Sequence, residues 1–68
     1  MQVIVNGESR TLNDGSSLLE LLADMSLAPD QAGVAVAVNA EVVARSVWPE
    51  VRLSDGDRVD IIHAVQGG

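Results

Sequence analysis

The chain has 68 residues, with 4 basic and 10 acidic side chains, a net charge of −6 and no cysteine. This length builds one small domain, which hides only about 60% of the surface its unfolded chain exposes, and no disulfide or thiolate metal site can staple it. The acidic balance excludes nucleic acid, which demands a basic footprint to displace counterions from phosphates, and it disfavours acidic lipid surfaces for the same reason.

Residues 2–5 read as a strand, and Asn6-Gly7 follows as a hairpin signal, because both residues tolerate the positive φ of a type I′ turn. Residues 8–12 are the expected returning strand, so that Val3 and Val5 share one face and Leu12 closes the same core. After the turn cluster Asn13-Asp14-Gly15-Ser16, Ser17 and Glu20 stand at capping-box spacing. Leu18, Leu21, Leu22 and Met25 then fall at i, i+3, i+4, i+7, one apolar stripe on a helix predicted to end near Leu27, before Pro29.

Residues 34–38 alternate valine with alanine as a strand, Asn39-Ala40 is its turn, and 41–44 a short return. Around Pro49 the pattern of 46–50 is irregular, since proline cannot serve a central strand. A tight turn at Ser54-Asp55-Gly56-Asp57 leads into a last strand over 58–65. The order is ββαββ, an α+β mixed sheet with one helix packed across one face and the first and last strands parallel at its centre. On the face away from the helix, Ile4, Ile62 and Ala64 form a modest apolar patch, readable either as a docking surface or as scattered exposed aliphatics.

The chain closes on Ala64-Val65-Gln66-Gly67-Gly68. Activating a C-terminal carboxylate means threading a tail through a narrow channel to the α-phosphate of ATP. Glycine suits that approach because it has no Cβ and adopts φ values closed to other residues. The carboxylate attacks phosphorus to give an acyl-adenylate, a sulfur nucleophile displaces the adenylate, and the resulting thiocarboxylate is itself a nucleophile. Such a carrier needs no acid, base, metal or cofactor of its own.

The whole chain resembles the ThiS family of ubiquitin-like, β-grasp sulfur carriers of thiamine biosynthesis. The likeness lies in Gln2-Val3-Ile4-Val5-Asn6-Gly7, Val36-Ala37-Val38-Asn39, Val43-Ala44-Arg45-Ser46-Val47-Trp48, and Asp55-Gly56-Asp57-Arg58-Val59-Asp60-Ile61-Ile62 leading to Gly67-Gly68. Ala44 departs from it, where the family often has proline. The resemblance implies a β-grasp domain over 1–65 and a flexible Gly-Gly tail over 66–68. It implies attachment of adenylate and then sulfur at Gly68, with Gln66 and Gly67 threading the tail. The implied partners are an E1-like, ATP-dependent adenylating enzyme, a sulfur-donor enzyme and the thiazole synthase that receives the sulfur.

The remaining residues are weighed singly. His63 is the only histidine and cannot alone make a metal site or a triad. Asp55 and Asp57 are explained by turn chemistry better than by acid–base work. Trp48, the only aromatic residue, either anchors a partner or caps the core. With no phosphate loop, ligand cluster or nucleophile–base set, the chain is not expected to be an enzyme. All four basic residues are arginines, so there is no ε-amine for Schiff-base chemistry. The negative field suits a protein partner with a basic surface and serves solubility equally well. No apolar run spans a membrane and the start lacks signal-peptide character, which points to the cytoplasm. A carrier of the molybdopterin type, another sulfur carrier, a protein modifier and a non-covalent β-grasp module are the alternatives to the thiazole reading.

Overall fold

A computed structural model of the chain describes residues 1–27 and 33–63. Strands β1 (Gln2–Val5), β2 (Glu8–Thr11), β3 (Val34–Val38), β4 (Glu41–Val43) and β5 (Arg58–His63) form one sheet in the order β2-β1-β5-β3-β4. The two hairpins are antiparallel, and β5 enters between them, parallel to β1 and antiparallel to β3. The expected ββαββ mixed sheet is therefore present, with the last strand at its centre. The expectations for Ala64, Val65, Gln66, Gly67 and Gly68 lie outside the described residues.

Helix α1 (Leu18–Asp24) lies across one face and buries Leu18, Leu21 and Leu22. They meet Val3 and Val5 of β1, Val34 and Val36 of β3, Val59 of β5, Leu53 and Trp48. Each of these side chains, fully buried, stabilises the fold by about 1.5–3 kcal/mol. Met25 and Leu12 pack against this cluster half-buried, as their spacing implied.

Ser17 is the N-cap of α1, its Oγ accepting from the Glu20 amide at 3.1 Å. The return contact differs from the usual box: the Ser17 hydroxyl donates to Glu20 Oε1 at 3.3 Å. The Leu18 amide of the first turn, which has no partner within the helix, donates to the Val51 carbonyl at 2.8 Å. The helix ends at Asp24, earlier than its apolar stripe suggested. Ser26 takes φ +62° there, its amide bonds the Ala23 carbonyl, and the Leu27 amide bonds Leu22 at 2.8 Å. Those two bonds make a Schellman stop, with serine in the place glycine usually takes.

Asparagine ends both strands that flank β5. Asn6 (φ +50°) and Gly7 (φ +84°) make the first turn, and Asn39 (φ +50°) and Ala40 (φ +69°) make the second. Each asparagine amide bonds β5, Asn6 to the Val59 carbonyl at 2.9 Å and Asn39 to the Arg58 carbonyl at 2.7 Å. A positive φ swings the main chain away into the turn, so the next ladder bond is made by the side chain. Asn6 Oδ1 accepts from the Ile61 amide at 2.7 Å, and Asn39 Oδ1 from the Arg58 amide at 3.0 Å. Asn39 Nδ2 also donates to Asp57 Oδ1 at 3.1 Å.

Two substitutions separate the conformational role from the bonding role. Asn39→Gly accepts the same φ but removes the surrogate acceptor, and should lower stability by about 1–2 kcal/mol. Ala40→Gly relieves a left-handed alanine and should raise stability by about 0.5–1 kcal/mol, the αL cost less the added chain entropy. Urea unfolding midpoints should move in opposite directions; a shared direction would refute this assignment of roles.

Candidate functional site

β5 carries the candidate site because it is the strand from which residues 64–68 depart. Its sides are held by β1 up to Asn6 and by β3 through Val34, which pairs His63. Its N-terminal approach is equally constrained. Gln2 donates its amide to Asp55 Oδ1 at 2.7 Å, the Gly56 amide donates to the Gln2 carbonyl at 2.7 Å, and the Ile4 amide to the Asp57 carbonyl at 2.9 Å. Asp57 Oδ2 takes the Ser54 amide at 2.7 Å across the turn. Both aspartates thus serve backbone amides, as the turn reading anticipated, and neither stands opposite a nucleophile.

The sheet face turned away from α1 holds Ile4 and Ile62, 39% and 62% exposed. The two isoleucines share the face but do not touch in register: Ile4 lies opposite Arg58, whereas Ile62 lies opposite Ala35. Asp60 stands between them on β5, opposite Ala37, which in turn pairs Val42. Val42 is 81% exposed and belongs to this surface. Sequence reasoning passed over it, although the Asn39-Ala40 turn sets the register that pairs Val42 with Ala37 and so puts both on the open face.

Trp48 is not on that surface. It is 1% exposed in the core, with its Nε1 donating to the Val43 carbonyl at 3.1 Å. The docking role is thereby corrected in favour of the core cap: a chain with no other aromatic spends its largest side chain on filling the space beside α1. The stretch 46–50 that looked irregular lies in a 3₁₀ helix, Arg45–Glu50, which delivers the indole there. Arg45 lies over the ring at 5.1 Å from its centroid and donates to the Val34 carbonyl at 3.2 Å. The Arg-Ser-x-Trp segment is therefore a clamp between the sheet and the helix layer.

A depression of about 230 Å³ beside α1 is lined by Asn13, Ser16, Glu20 and Asp24 among others. Ser16 spends its hydroxyl on the Asn13 carbonyl at 2.7 Å, leaving no activated nucleophile there. Among the described residues no group of three or more histidine, cysteine, aspartate or glutamate side chains could hold a metal ion. None of the described helices is long and apolar enough to cross a membrane.

The ThiS family model matches residues 3–68, which takes the likeness through the central strand and on to Gly68. This chain belongs to the ThiS family. It is similar to the sulfur carrier protein ThiS of Escherichia coli strain K12, 31% identical over 68 residues and the full length of both chains. It also resembles the ThiS of Thermus thermophilus, 39% identical over 66 residues, covering 97% of this chain and 98% of that one. A thiazole synthase of Paramagnetospirillum magneticum matches at 32% identity over all 68 residues, but this chain spans only 20% of that protein's length. The crystal structure of ThiS from Geobacter metallireducens superposes with a TM-score of 0.83 at 30% identity, over the whole of both chains. The β-grasp architecture is the family's own.

Core and open face should respond differently to truncation. Trp48→Ala is expected to cost about 3–5 kcal/mol, a large share of the stability of so small a domain. Ile62→Ala should stay within about 0.5 kcal/mol of the parent. Chemical denaturation of the two variants checks the pair, and a mild Trp48 effect would return that residue to the surface.

Proposed function

We propose that this chain is a sulfur carrier for thiazole formation in thiamine biosynthesis and that the carboxylate of Gly68 is its working group. The observation that supports this most directly is a family match running unbroken through the fold to Gly67-Gly68. The protein is a co-substrate rather than an enzyme, with residues 1–65 as the recognised domain and 66–68 as the segment that enters a partner's channel.

The chemistry needs little from the domain. A carboxylate oxygen of Gly68 attacks the α-phosphorus of ATP on an E1-like adenylating enzyme, and pyrophosphate leaves. Sulfur at the sulfide level, supplied by a donor enzyme, then attacks the acyl carbon, and AMP leaves with the oxygen that had bridged to phosphorus. The product is a terminal –COS⁻. Sulfur is polarisable and nucleophilic, so this group attacks an electrophilic carbon held by a thiazole synthase. Gly67 and Gly68 lack a Cβ, which lets the tail backbone come close to the nucleotide, and Gln66 joins them in threading. Dependence on ATP agrees with a cytoplasmic setting.

The domain contributes rigidity. A tail rooted on a central strand that β3 pairs through His63 is presented from a defined direction, which lowers the ordering cost when a partner binds. The thiazole synthases that contain a segment similar to this chain support that enzyme as the acceptor.

Intact mass after incubation with ATP, a sulfur donor and the adenylating enzyme tests the reading. One oxygen-for-sulfur exchange, mapped to the peptide ending in Gly68, is the expected result, and deletion of Gly68 should abolish it. An unchanged mass alongside an adenylating enzyme proven on another carrier would turn the assignment toward a non-covalent module.

A further inference from the structure

The turn between β1 and β2 holds the parts of a reaction that needs no second molecule except water. Asn6 is exposed and Gly7 follows it, in a turn that stands in open space: a Cβ built on Gly7 would meet nothing within 4 Å. The Gly7 amide makes no hydrogen bond among the described residues, so its nitrogen is uncommitted. The Asn6 carboxamide, by contrast, is held, its Oδ1 accepting from the Ile61 amide at 2.7 Å. It has to leave Ile61 before its carbon can reach the Gly7 nitrogen, a local opening of the kind that turns at the end of short ladders make most readily. Asn39 is the internal control. It has the same φ of +50°, is exposed, and lends its Oδ1 to the Arg58 amide at 3.0 Å, but Ala40 follows it. The Ala40 Cβ crowds the nitrogen that would attack, and glycine has none.

We propose that Asn6 is a self-modification site, at which the carboxamide is lost and the hold of β1 on the last strand goes with it. The Gly7 nitrogen gives its proton to water and bonds the Asn6 side-chain carbonyl carbon. The bond from that carbon to Nδ2 breaks, and ammonia leaves. Water then opens the cyclic imide at either carbonyl. Opening at the side-chain carbonyl leaves an ordinary aspartate; opening at the main-chain carbonyl leaves an isoaspartate, whose chain continues through the former side chain. Each product adds one negative charge, but they differ at β5. Aspartate keeps an oxygen for the Ile61 amide. Isoaspartate draws that oxygen into the main chain, lengthens the two-residue turn by one carbon and withdraws the acceptor. The β1 strand pairs β5 at Ile4 with Arg58 and at Val5 with Val59, so the Asn6 side chain is its last hold on the strand that leads to residues 64–68. This chemistry stands apart from the carrier reading and would occur whatever the tail does.

Peptide mapping of the full chain, aged in neutral buffer, is the test. Cleavage after Arg10 releases residues 1–10, which hold Asn6 apart from Asn13 and Asn39. The mass gain of an amide-to-acid exchange should accumulate at Asn6 at least tenfold faster than at Asn13 or Asn39, in two forms separable by chromatography. Ageing in guanidinium chloride should speed it severalfold, because unfolding releases the Ile61 bond. Ala40→Gly supplies the missing glycine and should raise the rate at Asn39 at least tenfold over the parent, even though Asn39 Nδ2 is also held by Asp57. Asn6→Asp should melt close to the parent, and the isolated isoaspartate form several degrees below it. A gain at Asn6 no faster than at Asn39 overturns the proposal, as does an Asn39 rate that Ala40→Gly leaves unchanged. A folded chain that reacts as fast as the unfolded one, or an isoaspartate form that melts with the parent, refutes the role given to the Ile61 bond.

Discussion

Asn6 and Asn39 leave their strands with positive φ and each lend a side-chain oxygen to an amide of β5. Those bonds finish two ladders that the turns would otherwise cut short, one parallel and one antiparallel. Strand amides take a partner wherever the fold offers one, and these two side chains pair the Ile61 and Arg58 amides where the neighbouring strands turn away. The centre is the position that matters. β5 is paired by β3 through His63 and by β1 and Asn6 as far as Ile61, so the first strand and the last are joined into one ladder. Asp57 reinforces the arrangement by accepting from Asn39 and from Ser54, which ties the turn before β5 to the turn after β3.

Beneath that frame, the core is built from small aliphatics and one large ring. Valines of β1, β3 and β5 alternate inward, and the leucines of α1 close over them. Trp48 fills the gap that leucine and valine leave. Its placement depends on Arg45, which bonds the sheet at Val34 and covers the indole from outside. The Arg-Ser-x-Trp segment is thus a packing device, and its indole N–H is satisfied by the Val43 carbonyl, as a buried polar group requires.

The two faces of the sheet divide the work. The helix face supplies stability, and its arginines are held by carboxylates or carbonyls. Among the described residues no second layer covers the other face, and it carries Ile4, Ile62, Val42 and Arg58. The chemistry proposed at Gly68 asks only that a partner hold the domain, so on that reading the fold contributes a rigid surface instead of a pocket.

Much of this was legible beforehand, and for local reasons. The Asn-Gly turn, the Ser17 cap, the leucine stripe and the valine alternation each act over a few residues. Sequence periodicity therefore reported the elements, the ββαββ order and the outward-facing Ile4 and Ile62, and the terminal diglycine marked the candidate working group. What sequence left open was whatever depends on contacts between distant segments. Whether Trp48 was core or anchor turned on the 3₁₀ helix that carries it under α1. That helix is shaped by its packing, because no propensity in Arg45–Glu50 announces it. The helix end at Asp24 turned on a serine accepting a left-handed φ, and the joining of Val42 to the open face on hairpin register. The pairing of Arg10 with Asp24 and of Arg52 with Glu20 appeared only in space. Side-chain direction along a strand follows from a period of two, but which charges pair follows from the assembled neighbours, and those exist only in the folded chain.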